Sequence, residues 1–561
     1  MRYLITLFMF TILLSSCGKK EQTPTGDTKA EKEFAEFVKA LETKAIPIYK
    51  ESTIAYWNAA ISGKKEDFEK NAEMQNKYDA IFADKSSFEK LKGLGEIKDP
   101  ILKRELTVLF NLFQQKQVDT SKINAINNMQ NAIEQKYGNF RTEVGGNKFT
   151  DNQVEEKLTK STDSKELKDV WTAQKKIGTV VAEDIIKLVK KRNELAKSIG
   201  FKNYHEMSLK VNEEDPEEIS KLFDELDALT KDAFAKEKGI VDNYYVERYK
   251  IKKEELMPWH YQNRFFQEAP KIYKVDFDKF YEGKKLDEIT AKFYKSIGLN
   301  IDDMIKNSDL FEKPGKNQHA FCTDIDRSGD VRVLCNIVPN EKWMNTMLHE
   351  YGHAVYSKNN DRSLPFYLRD CPQTFCTEAI AMRFGRFSTS APWLKDNLGI
   401  SEDEMKKVAD DGFKSLRLQQ LVFSRWSQVM YRFEKSLYEN PDQDLNKLWW
   451  ELVEKYQLLK KPEGRNEPDW AAKIHIATSP CYYHNYLMGE LLASQLYYYI
   501  VKNVIKSEDY KNQSFTNKTE VGKYLNERVF GPGSKYFWND MIEKATGEKL
   551  TAKYYAQQFV K

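Results

Sequence analysis

Apolar residues recur at helical spacing along nearly the whole chain. Clear examples are residues 34–41 and 167–177, in which large apolar side chains stand three or four positions apart. A helix that buries one face needs this spacing. Only residues 319–337 alternate in the way that is typical of strands. The sequence therefore predicts a mostly α-helical fold with one small β-hairpin.

The charges of the chain are almost balanced. It has 88 basic and 85 acidic residues and a formal net charge of +3. A nucleic-acid-binding protein usually has a clear basic excess or a basic patch. We therefore expect no nucleic-acid partner, and no segment of the sequence indicates a partner protein.

The first residues have the composition of a targeting segment. Arg2 is followed by an apolar stretch over residues 3–14, which is too short to span a membrane. Leu-Ser-Ser-Cys at residues 14–17 then closes the stretch with small side chains. We predict a secretory signal peptide over residues 1–16, and hence an exported protein.

The end of that segment resembles the cleavage box of bacterial lipoproteins. The resemblance implies that Cys17 becomes a lipidated first residue, which would anchor the protein to a membrane, in the periplasm or at the cell surface. The alternative is an ordinary cleaved signal with an incidental cysteine. Polar residues 17–29 would form a flexible tether, and residues 30–561 one large helical domain.

An exported protein meets an oxidising compartment, which permits disulfides. Ser328-Gly329 in the centre of the predicted hairpin is typical of a two-residue turn. With that turn, Cys322 faces Cys335 in a pair without mutual backbone hydrogen bonds, where Cα atoms lie ~4.5 Å apart. We predict a disulfide between them, with two buried thiols as the alternative.

One short motif carries reactive chemistry. Asn340 can cap a helix that continues through residues 349–353, His-Glu-Tyr-Gly-His. Residues four positions apart share a helix face, so His349 and His353 can bind one Zn²⁺ at roughly 2.0–2.1 Å, whereas Glu350 would act on water. A catalytic zinc site needs one further protein ligand and an open position.

In these residues the chain resembles the angiotensin-converting enzyme family of zinc peptidyl-dipeptidases, particularly its bacterial members. That family has its third zinc ligand in the context Glu-Ala-Ile, which matches residues 378–380, so the resemblance implies that Glu378 completes a site for one zinc ion per chain. Met382 departs from the family, which has an acidic residue there that supports the metal site. Further matches follow in order: Trp57-Asn58, His319-Ala320, Trp449-Trp450, residues 455–457, residues 465–467, residues 473–476, Tyr483 and Tyr486.

The resemblance also implies roles in peptide hydrolysis. Glu350 would move the proton of the attacking water, and Tyr486 would stabilise the oxyanion. His319 and His475 would hydrogen-bond a substrate carbonyl. Ala320 would pair with the substrate backbone along a strand edge.

A further group would hold the C-terminal carboxylate of the substrate. The resemblance implies Lys473 and Tyr483 for this role. Gln262 is another candidate, although its spacing from the preceding tryptophan differs from the family by one residue. Tyr482 is an alternative to Tyr483, which we prefer because it keeps the three-residue spacing to Tyr486.

For the whole chain, the resemblance implies one large helical domain that is divided by a deep active-site cleft, with the hairpin beside it. Such an enzyme removes C-terminal dipeptides from short exported peptides. A zinc carboxypeptidase or oligopeptidase with the same metal site is one alternative, since residues 486–490 are also similar to thimet-type oligopeptidases. A non-catalytic peptide-binding lipoprotein is another, although it would need neither Glu350 nor Tyr486.

Overall fold

A computed structural model of the chain describes residues 28–273 and 275–560. Helices dominate these residues, which confirms the mostly α-helical prediction. The first helix begins at Lys29, one residue before the predicted domain boundary, because the Thr28 side chain caps it by accepting the Glu31 N–H at 3.1 Å. The predicted signal peptide and Cys17 lie outside the described residues. Among the described residues, none of the helices combines the length and hydropathy of a membrane-spanning segment.

The helices and strands follow one another along the chain as listed here. Before the predicted hairpin lie α1 (Lys29–Ser62), α2 (Lys65–Phe82), α3 (Lys85–Lys92), α4 (Pro100–Lys116), α5 (Thr120–Asn139), β1 (Thr142–Val144), β2 (Asn147–Phe149), α6 (Asp151–Lys160), α7 (Ser164–Ser198), α8 (Tyr204–Val211), α9 (Pro216–Tyr249), α10 (Leu286–Ser296) and α11 (Asp302–Asn307). The hairpin and the rest of the chain form β3 (Phe321–Asp324), β4 (Val331–Leu334), α12 (Glu341–Lys358), α13 (Thr374–Gly385), α14 (Ala391–Leu398), α15 (Glu402–Glu439), α16 (Leu445–Leu452), α17 (His475–Thr478), α18 (His484–Tyr499), α19 (Thr519–Leu525), α20 (Trp538–Thr546) and α21 (Lys553–Phe559).

The strands form two antiparallel pairs, β1 with β2 and β3 with β4. The second pair is the predicted hairpin. The first pair was missed, although its turn, Gly145-Gly146, has the positive φ angles of +58° and +80° that two-residue hairpin turns require.

The register of β3 and β4 corrects the predicted disulfide. Cys322 pairs with Val333 and not with Cys335, and both cysteines are free thiols. The turn spans residues 326–329, so it is longer than the two-residue turn that the prediction assumed. Asp326 folds this longer turn, because its carboxylate accepts the backbone N–H two residues on at 2.9 Å.

Helix α13 contacts both α12 and α18, and these three helices carry the predicted metal ligands, Glu350 and Tyr486. In α12, Asn340 is the predicted cap and accepts a first-turn N–H at 2.9 Å. Gly352 brings α12 close to α13, because a Cβ atom there would lie 2.8 Å from the Cα of Ala381. Gly489 does the same for α18, since its Cβ would lie 3.3 Å from the Cβ of Glu378.

Helices α1 to α4 bury a separate apolar cluster, to which Phe366 and Tyr367 contribute. Glu31 in α1 is also buried, with 5% of the residue exposed. Its carboxylate accepts the N–H groups of Lys98 and Asp99, each at 2.8 Å. This carboxylate therefore joins α1 to the start of α4.

Candidate active site

His349 and His353 face Glu378 where α12 meets α13. The two Nε2 atoms lie 3.2 Å apart, and each is 3.7 Å from Oε2 of Glu378. Ligand atoms at ~2.0–2.1 Å from one tetrahedral ion lie roughly 3.3–3.4 Å from one another. The structure thus brings the three predicted ligands together at the spacing of a single metal site.

The charges of these groups also suit a zinc ion. Burial lowers the pKa of His349 to about 4, and burial together with the His349 charge lowers the pKa of His353 well below its usual range, so both imidazoles are neutral donors. Burial raises the pKa of Glu378 to about 7, and a divalent cation beside its oxygens would stabilise the ionised form. Two neutral nitrogens and one carboxylate form a donor set that is typical of catalytic zinc.

The second ring nitrogen of His353 has a partner that the sequence analysis did not assign. His353 Nδ1 lies 2.8 Å from the hydroxyl oxygen of Thr377. Metal-binding histidines are commonly held in this way by a neighbouring oxygen, which fixes the orientation of the ring. Met382, which replaces the acidic residue of the family, lies with its sulfur against Gly489. Thr377, next to Glu378, therefore supports the site in this chain.

Glu350 lies on the same helix as the two histidines but is not part of the metal cluster. It is buried, with 8% of the residue exposed. Burial, and to a lesser degree the negative charge of Glu378, raise the pKa of Glu350 to about 8. A carboxylate with a raised pKa is a stronger base than an ordinary one, and a divalent cation at the neighbouring ligands would favour its ionised, proton-accepting form.

Tyr482, Tyr483 and Tyr486 cluster at the start of α18. The ring centre of Tyr486 is 5.2 Å from that of Tyr482 and 5.4 Å from that of Tyr483. Trp426 fixes Tyr483 by donating its indole N–H to the phenol oxygen at 2.7 Å. Burial and the Glu378 charge raise the pKa of Tyr486, so this half-buried phenol keeps its proton and can donate a hydrogen bond.

Lys473 is the positively charged member of a second group of side chains, which also contains Gln267 and Tyr483. Its Nζ donates to Oε1 of Gln267 at 2.6 Å and lies 5.5 Å from the ring centre of Tyr483. Burial, assisted by the positive charge of Arg264, lowers the pKa of Lys473 to about 8. Among the described residues it has no ion-pair partner within 4.0 Å. A substrate carboxylate would supply the missing negative charge.

The prediction of Gln262 needs a correction, because its amide is used elsewhere. The side chain accepts a hydrogen bond from the Tyr245 hydroxyl at 3.2 Å and donates to the carbonyl of Thr159 at 2.9 Å. Gln267 is the glutamine that reaches Lys473. No local pattern in residues 259–267 distinguishes the two glutamines, so the sequence carried no signal for Gln267.

The remaining predicted residues lie around these two groups. His475 starts α17, with its ring centre 5.4 Å from that of Tyr483, and burial together with the Lys473 charge lowers its pKa to about 4. Ala320 directly precedes β3, whose outer edge has no strand partner in the described part of the chain. His319 is exposed beside it. Its role towards a substrate stays a prediction.

Comparison with known proteins identifies the family. The sequence profile described as angiotensin-converting enzyme, a peptidase family, matches residues 28–559. The chain belongs to this family. This member of the angiotensin-converting enzyme family is accordingly a metallopeptidase, and His349, His353 and Glu378 form a group that could hold its metal ion.

Its similarity to individual members of the family is distant. It is 25% identical over 288 residues to angiotensin-converting enzyme of Theromyzon tessulatum, a match that covers 49% of this chain and 46% of that protein. It is 24% identical over 453 residues to angiotensin-converting enzyme of Haematobia irritans exigua, with 73% and 72% covered. Carboxypeptidase 1 of Bacillus subtilis (strain 168) is 23% identical over 301 residues, with 49% and 57% covered. The relatives therefore include proteins named as angiotensin-converting enzymes and one named as a carboxypeptidase.

Proposed function

We propose that this family member is a zinc peptidyl-dipeptidase that removes C-terminal dipeptides from short exported peptides. The observation that carries the proposal is the group of Lys473, Gln267 and Tyr483. A buried cation, an amide and a phenol together suit one carboxylate. A substrate held there by its C-terminus would present one particular peptide bond to Glu350 and Tyr486.

Zinc would be held by His349, His353 and Glu378, whose spacing, burial and donor types fit it. Bound there, zinc would act as a Lewis acid on the scissile carbonyl and lower the pKa of water. The neutral state of both imidazoles leaves their nitrogens free to serve as ligands. Thr377 would keep the His353 ring in its binding orientation.

The protein's own residues supply the proton transfers and the charge stabilisation. Glu350 takes a proton from the attacking water and delivers it to the leaving nitrogen, so its carboxylate is restored in each turnover. Tyr486 donates a hydrogen bond to the carbonyl oxygen as negative charge develops there. Neutral His475, with His319, orients a carbonyl of the substrate. The free edge of β3 beside Ala320 suits an extended peptide.

A second candidate function differs only in which peptide bond, counted from the C-terminus of the substrate, is cleaved. A zinc carboxypeptidase or oligopeptidase would use the same metal ligands and Glu350. The similarity to carboxypeptidase 1 of Bacillus subtilis favours the carboxypeptidase form of this alternative. It would release single amino acids, whereas the dipeptidase releases two residues at a time.

We also propose that the protein is exported and carried on a membrane by lipid at Cys17. Residues 14–17, Leu-Ser-Ser-Cys, support this proposal. Metabolic labelling with radioactive palmitate should mark the wild-type protein and leave Cys17→Ser unlabelled. Equal labelling of both proteins would place the lipid elsewhere, and an unlabelled wild type would remove the anchor.

The proposed binding of the substrate carboxylate by Lys473, Gln267 and Tyr483 is tested by comparing peptides with a free and an amidated C-terminus. Loss of a charge-assisted hydrogen bond costs about 1.5–3 kcal/mol, so amidation should lower kcat/KM roughly 10- to 150-fold in the wild type. Lys473→Met should abolish most of this preference, and Gln267→Ala should reduce it. Gln262→Ala is the matched control and should keep it. Equal cleavage of the two peptides by the wild type would reject the proposal.

A further inference from the structure

A buried carboxylate outside the groups described above connects two helices of the site. Glu214 lies between α8 and α9, and 1% of its side chain is exposed. One of its oxygens lies 2.6 Å from Nε2 of His484, and the other accepts a hydrogen bond from Nε2 of Gln373 at 2.8 Å. When a buried polar group loses such a partner, the folded state is destabilised by about 1–3 kcal/mol. Both contacts of Glu214 are therefore expected to be stable.

His484 connects Glu214 to α18. It is the first residue of that helix and is 2% exposed. The start of α18 has no side-chain capping bond, so the bond from His484 to Glu214 holds its first turn together with the Trp426 contact to the N-cap residue, Tyr483. Tyr486 lies two residues further along the same turn.

Gln373 connects the same carboxylate to α13. It is the N-cap of that helix, and its side-chain oxygen accepts the N–H of Thr374. Its amide nitrogen is then free to donate to Glu214. One side chain thus caps the helix that carries Glu378 and binds the carboxylate that also holds α18.

The backbone at Glu214 is itself fixed on both sides. On one side Glu213 forms an ion pair with Arg104, in which Nη2 and Oε2 are 2.6 Å apart. On the other side Asp215 caps α9. The N–H of Glu214 also donates to the carbonyl of Leu209 at 2.9 Å. The backbone that carries the Glu214 carboxylate is therefore fixed, so the carboxylate can position the two helices.

We propose that Glu214 is a positioning residue that sets the placement of Tyr486 relative to Glu378. By holding the first turns of α18 and α13, it fixes where the phenol stands beside the metal ligand. The contact of Gly489 with Glu378 keeps the two helices together one turn further on. This inference rests on the proposed function, in which Tyr486 and Glu378 act at the same peptide bond.

The test compares Glu214→Ala with the nearly isosteric Glu214→Gln. Glu214→Ala should lower kcat about 10- to 100-fold, as loss of a supporting contact around a metal site does. KM should change less, because Trp426 holds Tyr483 independently. Glu214→Gln should recover most of kcat, since an amide can accept from Gln373 and donate to the other tautomer of His484.

Two further variants separate positioning from general stability. Glu31→Ala removes another buried carboxylate, one that accepts three backbone hydrogen bonds in the separate cluster of α1 to α4, so it should lower Tm and leave kcat unchanged. His484→Ala should lower kcat as Glu214→Ala does, and the double variant should lose little more than either single one. If Glu214→Ala does not fold, Glu214→Gln and His484→Ala still give these readings.

The visible absorption spectrum of the cobalt-substituted protein provides a readout that does not depend on turnover. It should change in Glu214→Ala, because α13 carries Glu378, and stay unchanged in Glu31→Ala. A Glu214→Ala protein with normal kcat and an unchanged spectrum would overturn the inference, even if its Tm fell. A wild type that binds cobalt but cleaves no peptide would instead reject the proposed function, and the spectra would still test the positioning of Glu378.

Discussion

Replacing Gly352 by alanine would add a methyl group at the closest approach of α12 and α13. The new Cβ would lie 2.8 Å from the Cα and 3.1 Å from the N of Ala381, whereas ordinary contacts begin at 3.4 Å. Both obstacles are backbone atoms, so no side chain can turn aside. The two helices would have to separate by about 0.6 Å, because packed interiors leave no spare room.

This separation should reduce both stability and metal affinity. Overpacking destabilises the folded state by about 1–3 kcal/mol, and the better helix propensity of alanine stabilises it by about 0.5–1 kcal/mol. We therefore expect the free energy of unfolding to fall by up to about 2.5 kcal/mol. The gap of 3.7 Å between each histidine and Glu378 would widen, which should weaken zinc binding about 10- to 100-fold.

Urea unfolding measures the first effect, and competition with a chromogenic chelator measures the second. Gly239→Ala is the matched control, because Gly239 lies within α9 and a Cβ there would meet nothing within 4 Å. The free energy of unfolding of that variant should rise by about 0.5–1 kcal/mol, and its zinc affinity should stay unchanged. A Gly352→Ala protein with wild-type stability and zinc affinity would refute the argument from helix packing.

Three further predictions concern individual residues. Glu350→Gln should abolish hydrolysis while metal analysis still finds one zinc per chain, because this carboxylate handles protons and does not bind the metal; near-normal turnover would contradict its role. Glu378→Ala should lose most of its zinc on dialysis, since two imidazoles leave the site a ligand short, and full occupancy would move the third ligand elsewhere. KM for a peptide with a free C-terminus should rise as the pH passes about 8, because Lys473 loses its charge above its pKa of about 8; KM for the amidated peptide should stay flat, and parallel profiles would exclude Lys473 as the carboxylate contact.

Local signals in the sequence were sufficient for the central helix of the site. The cap at Asn340 and the apolar spacing that follows it predicted α12, and therefore the common face of His349 and His353. The hairpin was also predicted, but its register was not. A turn longer by two residues moves every cross-strand pair, so Cys322 faces Val333 in place of Cys335.

Contacts that depend on the path of irregular segments could not be predicted. Gln262 and Gln267 lie in a stretch without periodicity, and only the fold decides which of them meets Lys473. Glu214 and His484 are 270 positions apart in the sequence, so nothing local links them. The hydrogen bond between Thr377 and His353 likewise depends on how α13 packs against α12.

The most direct test of the proposed dipeptidase activity is mass spectrometry of an unblocked peptide of about ten residues after incubation with the zinc-loaded protein. A carboxylate held by Lys473, Gln267 and Tyr483 fixes the distance from the C-terminus to the bond that is cleaved. We expect products shortened by two residues at each step, together with the matching dipeptides, and no products once a chelator has removed the metal. Products shortened by one residue, internal fragments, or cleavage that persists in the chelator would contradict it.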